Sequence, residues 1–97
     1  MSTVRDFLGY GERTAVSMSE LARLLGISPR ACRKAVEAAR LSGTLILSSE
    51  RGYFLPGEGS AGREEITRFQ RRTAARLRTG KALLRSSRRA LAEWGED

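Results

Sequence analysis

The four residues Gly26-Ile27-Ser28-Pro29 constrain this chain more than any other feature, because they end one helix and begin the next with almost nothing between. Glycine after an apolar helical stripe adopts the left-handed conformation that stops a helix. Serine followed by proline is the opposite signal: the hydroxyl accepts an N–H of the first turn, and proline at the first helical position lacks an N–H that would have had no partner. The upstream helix has its own start signal. Ser17-Met18-Ser19-Glu20 has the spacing of a capping box, Val16 and Leu21 are placed to staple it, and Leu21, Leu24 and Leu25 continue as an apolar stripe. The downstream helix carries Cys32, Val36 and Ala39 on its inner face and Arg30, Arg33, Lys34 and Glu37 on the opposite one, and it ends at Gly43.

Weaker patterns flank this pair. Val4, Phe7 and Leu8 recur at helical spacing behind Ser2 as an N-cap, and Gly9 and Gly11 stop them, which predicts a short first helix. Thr14-Ala15-Val16 has the composition of one brief strand. Leu45-Ile46-Leu47 and Gly52-Tyr53-Phe54-Leu55 flank the polar loop Ser48-Ser49-Glu50-Arg51, predicting a β-hairpin closed by Pro56. Alternation puts Tyr53 and Leu55 on the core face and leaves Phe54 either exposed or covered by the C-terminal tail. Cys32 reads as a small core residue.

Residues 57–62 hold three glycines in six and read as a flexible linker between a unit at 1–56 and a basic segment at 63–97. The same six residues spell G-x-G-x-x-G after a strand and before a helix. A dinucleotide fingerprint is nevertheless rejected, because the following parallel strand and the downstream acidic residue are missing and Glu58 would repel pyrophosphate. From there Ile66, Phe69, Thr73, Leu77, Gly80, Leu84, Ser87, Leu91 and Trp94 advance in steps of three and four, which predicts one long amphipathic helix that Gly80 is able to break.

Composition excludes more than it proposes. The 97 residues contain no histidine and one cysteine, so an internal disulfide and a four-ligand zinc site are both ruled out and the usual acid–base side chain is missing. No enzyme activity, cofactor or metal is expected. No apolar run exceeds three residues, far short of a membrane span, and the first eighteen residues lack the apolar core of a secretory leader, so a cytoplasmic location is expected. The formal charge of +7 is unevenly spread. Between Met1 and Gly62 there are 8 basic and 6 acidic residues, against 10 and 3 between Arg63 and Trp94, an asymmetry that points to a polyanion.

The stretch Ser17-Met18-Ser19-Glu20-Leu21-Ala22-Arg23-Leu24-Leu25-Gly26-Ile27-Ser28 resembles the helix-turn start of the biotin-repressor and DeoR-like winged helix-turn-helix families. Ala22, Gly26, Ile27, Cys32 and Val36 fall where that family has small, turn and core residues, and Gly52-Tyr53-Phe54-Leu55 is similar to the strand closing its wing. The resemblance covers residues 3 to 56. It implies a mainly α fold with a small β-hairpin (α+β), a winged helix-turn-helix followed by a long C-terminal helix. It also implies double-stranded DNA as the partner, in the manner of small bacterial or prophage regulators. A helix held across another by a tight turn fits a major groove about 12 Å wide. On this reading Arg33 and Lys34 contact guanine or phosphate, Ser28 and Arg30 the backbone near the helix start, and Glu37 shares their face. Arg51 at the wing tip reaches phosphate or the minor groove, as wings in this family do.

The apolar stripe of Ile66, Phe69, Leu77, Leu84, Leu91 and Trp94 is too long for one small domain to cover, which predicts a homodimer through the C-terminal helix. Arg71, Arg72, Arg76, Arg78, Arg85, Arg88 and Arg89 then flank the seam, where they are able to touch DNA backbone or an acidic partner. Thr73, Gly80 and Ser87 interrupt it too often for a membrane-surface helix. A chain ending at Gly62 is expected to keep its fold, since the caps, turn and hairpin all lie upstream. The competing expectation is an interaction or assembly module, such as an accessory subunit in phage replication or packaging.

Overall fold

The structure is a computed structural model describing residues 3–94. Two helices, α1 (Met18–Leu25) and α2 (Pro29–Leu41), are followed by an antiparallel hairpin of β1 (Leu47–Ser49) and β2 (Gly52–Phe54), and by the long α3 (Gly59–Trp94). This is the mainly helical architecture with a small hairpin and a long final helix that the sequence implies. Among the described residues no helix is long and apolar enough to cross a membrane.

The caps act as their chemistry dictates. Ser17 and Ser28 accept the backbone N–H of Glu20 and Ala31, each at 3.1 Å, Pro29 opens α2, and Gly26 ends α1 in the left-handed region at φ 69°. Half of the expected capping box is absent. The Glu20 carboxylate turns to Arg23, which binds it with two nitrogens at 2.6 to 3.1 Å, because a guanidinium one turn on is a stronger donor than a backbone amide. Leu21, Ala22, Cys32 and Val36 meet between the helices, with Val4 and Leu8 beneath them and Ile46 and Leu55 closing the core.

The N-terminal segment differs from expectation. Val4–Phe7 is a single 3-10 turn capped by Thr3. The expected N-cap Ser2 lies outside the described residues. Glu12–Thr14 is a second 3-10 turn, and the brief strand reduces to one antiparallel bridge between Val16 and Tyr53. The hairpin also differs: Ser48 and Ser49 belong to β1, and the loop shrinks to Glu50-Arg51. Gly52 makes that turn possible. Its φ is +126°, and a Cβ there would sit 2.2 Å from the Val16 carbonyl oxygen.

The flexible linker is overturned. Gly59 already starts α3, and the glycines serve a close approach, since a Cβ on Gly62 would fall 1.8 Å from the Gly57 carbonyl oxygen. Glu65 locks this contact. Its carboxylate accepts the N–H of Gly57 at 2.9 Å and of Glu12 at 2.8 Å, and Arg68 stands 3.8 Å from Glu12. Thus α3 is fastened to the preceding unit and packs on β1.

That packing settles the fate of Phe54. In register, Leu47 pairs with Phe54 and Ser48 with Tyr53, so Leu47 and Phe54 share the hairpin face turned away from the core. Both are buried, and Phe54 lies beside Glu65, Arg68 and Arg72 of α3. The hairpin is therefore covered on both faces. Ending the chain at Gly62 would uncover Leu47 and Phe54, a cost that the expectation of a self-sufficient unit at residues 1–62 did not include.

Through Gly80 the helix runs unbroken, and a Cβ added at that position would meet nothing within 4 Å. At about 1.5 Å per residue its 36 residues account for the longest extent of the molecule, 55 Å. The radius of gyration, 17.3 Å, exceeds the roughly 12.5 Å of a compact chain this long because the distal helix projects.

Glu65→Ala strands two backbone N–H groups in a partly buried seam. A loss of about 1–3 kcal/mol in unfolding free energy is expected from urea denaturation, with Glu65→Gln recovering part of it through its remaining carbonyl oxygen. Wild-type stability in the alanine variant would show that the clamp does not hold α3.

Candidate nucleic-acid interface

Helix α2 presents its polar face outward because Cys32 and Val36 fix the opposite face in the core. Arg30, Arg33, Lys34 and Glu37 are all exposed on that face, and Ser28 at its start is exposed as well. Among the described residues the ion pairs are Arg23–Glu20 and Arg68–Glu12, so Arg30, Arg33, Lys34 and Arg51 have no carboxylate partner there. Arg51 is exposed in the hairpin turn, and its backbone N–H donates to Ser49 Oγ at 3.2 Å.

Between α2, the hairpin and α3 lies an open concavity of about 460 Å³. Its walls include Met18, Arg33, Arg40, Ser48, Tyr53 and Arg76. Of the expected site residues it holds only Arg33, whose Nε donates to Met18 Sδ at 3.2 Å. Arg30, Lys34 and Glu37 continue the α2 face beside it, and Arg51 stands apart at the turn.

Arg40 is the residue that sequence reasoning missed, whereas Arg76 was read only as one of the arginines flanking the C-terminal stripe. Arg40 is half-buried, donates from Nε to the Ile46 carbonyl at 2.8 Å, reaches Ser48 Oγ at 3.5 Å, and lies over the rings of Phe69 and Tyr53 at 5.2 and 5.9 Å. It ties α2 to the hairpin and to α3. Burial pulls its guanidinium below the ordinary value, Tyr53 opposes this, and the nearby Arg76 charge adds to the lowering. The signal for Arg40 was its place seven residues after Arg33, two turns along the same face. The signal for Arg76 was only its place among the arginines flanking the stripe, and the packing of α3 is what singles it out from them. Arg72 donates to the Ser48 carbonyl and secures the same wall.

Cys32 is fully buried, and burial pushes its thiol up, as befits a packing residue. The expected oligomerisation residues divide into two groups. Ile66 and Phe69 are half-buried, and with Leu45, Thr73, Ala74 and Leu77 they line an apolar groove of about 360 Å³ on the protomer itself. Leu77, Leu84, Leu91 and Trp94 are 58%, 49%, 73% and 83% exposed. The chain matches no family model, no curated protein and no solved structure.

Arg40→Lys keeps the charge but loses the planar fork that stacks on two rings while bonding a carbonyl. Thermal melting is expected to reveal a loss of about 1–3 kcal/mol, the scale of a charged hydrogen bond. An unchanged melting curve would mean that Arg40 does not fasten the hairpin.

Proposed function

We propose that this chain is a non-catalytic, cytoplasmic, double-stranded DNA-binding protein of the winged helix-turn-helix kind, acting as a small bacterial or prophage regulator. One observation carries the reading: α2, held across α1 by a three-residue turn, exposes Arg30, Arg33 and Lys34 without a carboxylate partner among the described residues. Cations left unpaired on a helix of that geometry suit the major groove, where arginine and lysine bond guanine edges or flanking phosphates. Arg51 at the turn of the adjacent hairpin extends the same potential toward the backbone.

Fluorescence anisotropy with labelled duplex is expected to give an affinity that falls steeply with salt, by a slope near −0.9 for each phosphate contacted. Arg33→Ala and Lys34→Ala are each expected to cost about 1–3 kcal/mol on a selected site. A flat salt titration, or wild-type affinity in both variants, would remove α2 from the interface.

The reading includes a homodimer. Residues 71–94 are exposed along their whole length, and Leu77, Leu84, Leu91 and Trp94 form an apolar seam with no cover among the described residues. Two copies joined along it would place paired recognition helices over half-sites about 10 base pairs apart, or a multiple of that spacing. Because Arg78, Lys81, Arg85, Arg88 and Arg89 lie on the same stretch of helix, like charges oppose the pairing and salt screens them. Self-association is therefore expected to strengthen with salt while DNA binding weakens. Light scattering at tens of micromolar checks this: a monomer at low and high salt alike would refute the dimer. The same exposed seam favours a second reading, an assembly module that docks another protein, and the flat DNA titration above would leave that reading standing.

A further inference from the structure

The concavity beside α2 concentrates positive charge that no carboxylate among the described residues offsets. Arg33 and Arg40 from α2 and Arg76 from α3 all reach its wall, and no carboxylate lines it. Neither Arg33, Arg40 nor Arg76 has an ion-pair partner among the described residues. Their hydrogen-bonding capacity is largely unspent. Arg33 uses one N–H, on the weak acceptor Met18 Sδ, Arg40 uses two of its five, and Arg76 has no hydrogen bond among the described residues. Ser48, whose carbonyl Arg72 binds, and Ser49, whose Oγ accepts the Arg51 N–H, add hydroxyl groups to the wall. Arg40 is held rigid by its two rings and the Ile46 carbonyl, so one guanidinium of the three is preorganised.

Converging guanidiniums with spare donors match the three or four oxygens of a phosphate group, which takes up bidentate N–H bonds and supplies the missing negative charge. We propose that Arg33, Arg40 and Arg76 form a phosphate-binding pocket, and that a backbone phosphate of a nucleic acid lodges in it. The C-terminal helix is then part of the nucleic-acid surface, contributing Arg76 as its third wall. The pocket stands on its own geometry, whereas the DNA backbone as the source of the phosphate rests on the function proposed above.

The test uses the full chain with Arg76→Gln, and with Arg5→Gln as a control of equal charge change outside this concavity; Arg40 is left intact because it fastens the hairpin. Nitrogen-15 spectra of the arginine Nε–H groups are titrated with inorganic phosphate, and labelled duplex DNA is titrated by anisotropy across a range of salt. The Arg33, Arg40 and Arg76 signals are expected to move together on one saturating curve while Arg5 stays still. Arg76→Gln should weaken that curve several-fold, and should lower the duplex salt slope by about 0.9, the value of one phosphate contact; Arg5→Gln should do neither. If phosphate moves the three signals but duplex does not bind, the pocket holds and its ligand is a free or small-molecule phosphate. If duplex binds with the same slope in Arg76→Gln and phosphate leaves the three signals unmoved, the pocket is refuted while DNA binding by α2 stands.

Discussion

One carboxylate determines how the two parts of this protein relate. Glu65 accepts backbone N–H groups from Glu12 and from Gly57, positions far apart in the chain, and so fixes the first turns of α3 against both. An ionised acceptor shared between two amides is stronger than either neutral bond alone. Gly62 lets the helix come close enough for it, its missing Cβ leaving room for the Gly57 carbonyl. Helical periodicity then does the rest. Gly62, Glu65, Phe69, Arg72 and Arg76 advance by three and four residues, so fixing Glu65 sets Phe69 beneath Arg40, Arg72 on the Ser48 carbonyl and Arg76 at the concavity.

The hairpin gains its stability from being covered twice. A two-stranded ribbon alone is marginal in water. Here Ile46 and Leu55 face the helical core and Leu47 and Phe54 face α3, so successive residues are buried on opposite sides. This is why apolar residues stand side by side in Ile46-Leu47 and in Phe54-Leu55, where a half-exposed hairpin would alternate them with polar ones. Arg40 braces the arrangement, its guanidinium lying over Phe69 of α3 and Tyr53 of the hairpin while it bonds the Ile46 carbonyl.

Legibility followed the range of the interactions. The caps at Ser17, Gly26, Ser28 and Pro29 and the inward residues Cys32 and Val36 are decided by neighbours within a turn or two, and they were readable. The reciprocal bond expected of Glu20 failed because a competing arginine lay three residues on. The glycines at 57–62 read as a flexible joint because conformational freedom and close packing call for the same residue, and only the tertiary contact tells them apart. Apolar periodicity in the C-terminal segment located the stripe from Ile66 to Trp94. The side that fastens α3 is displaced from that stripe and is largely polar, so hydrophobic patterning could not reveal it. The exposure of Arg30, Arg33, Lys34, Glu37 and Arg51 was legible from helical phase and the polar turn; Arg76 was legible only as one of many arginines on the last helix, and its place beside Arg40 emerged once that helix was in position.

A helix without a joint transmits angle as well as distance. Because α3 is continuous from Gly59 to Trp94, the direction in which Leu84 or Leu91 points relative to α2 is set by the number of residues separating it from Glu65. One residue added within that span would turn everything beyond it by about 100° and advance it by about 1.5 Å, whereas seven would restore the heading to within about 20°. The chain thus encodes a phase: residue count, more than residue identity, aligns the distal seam with the face that carries Arg30, Arg33 and Lys34.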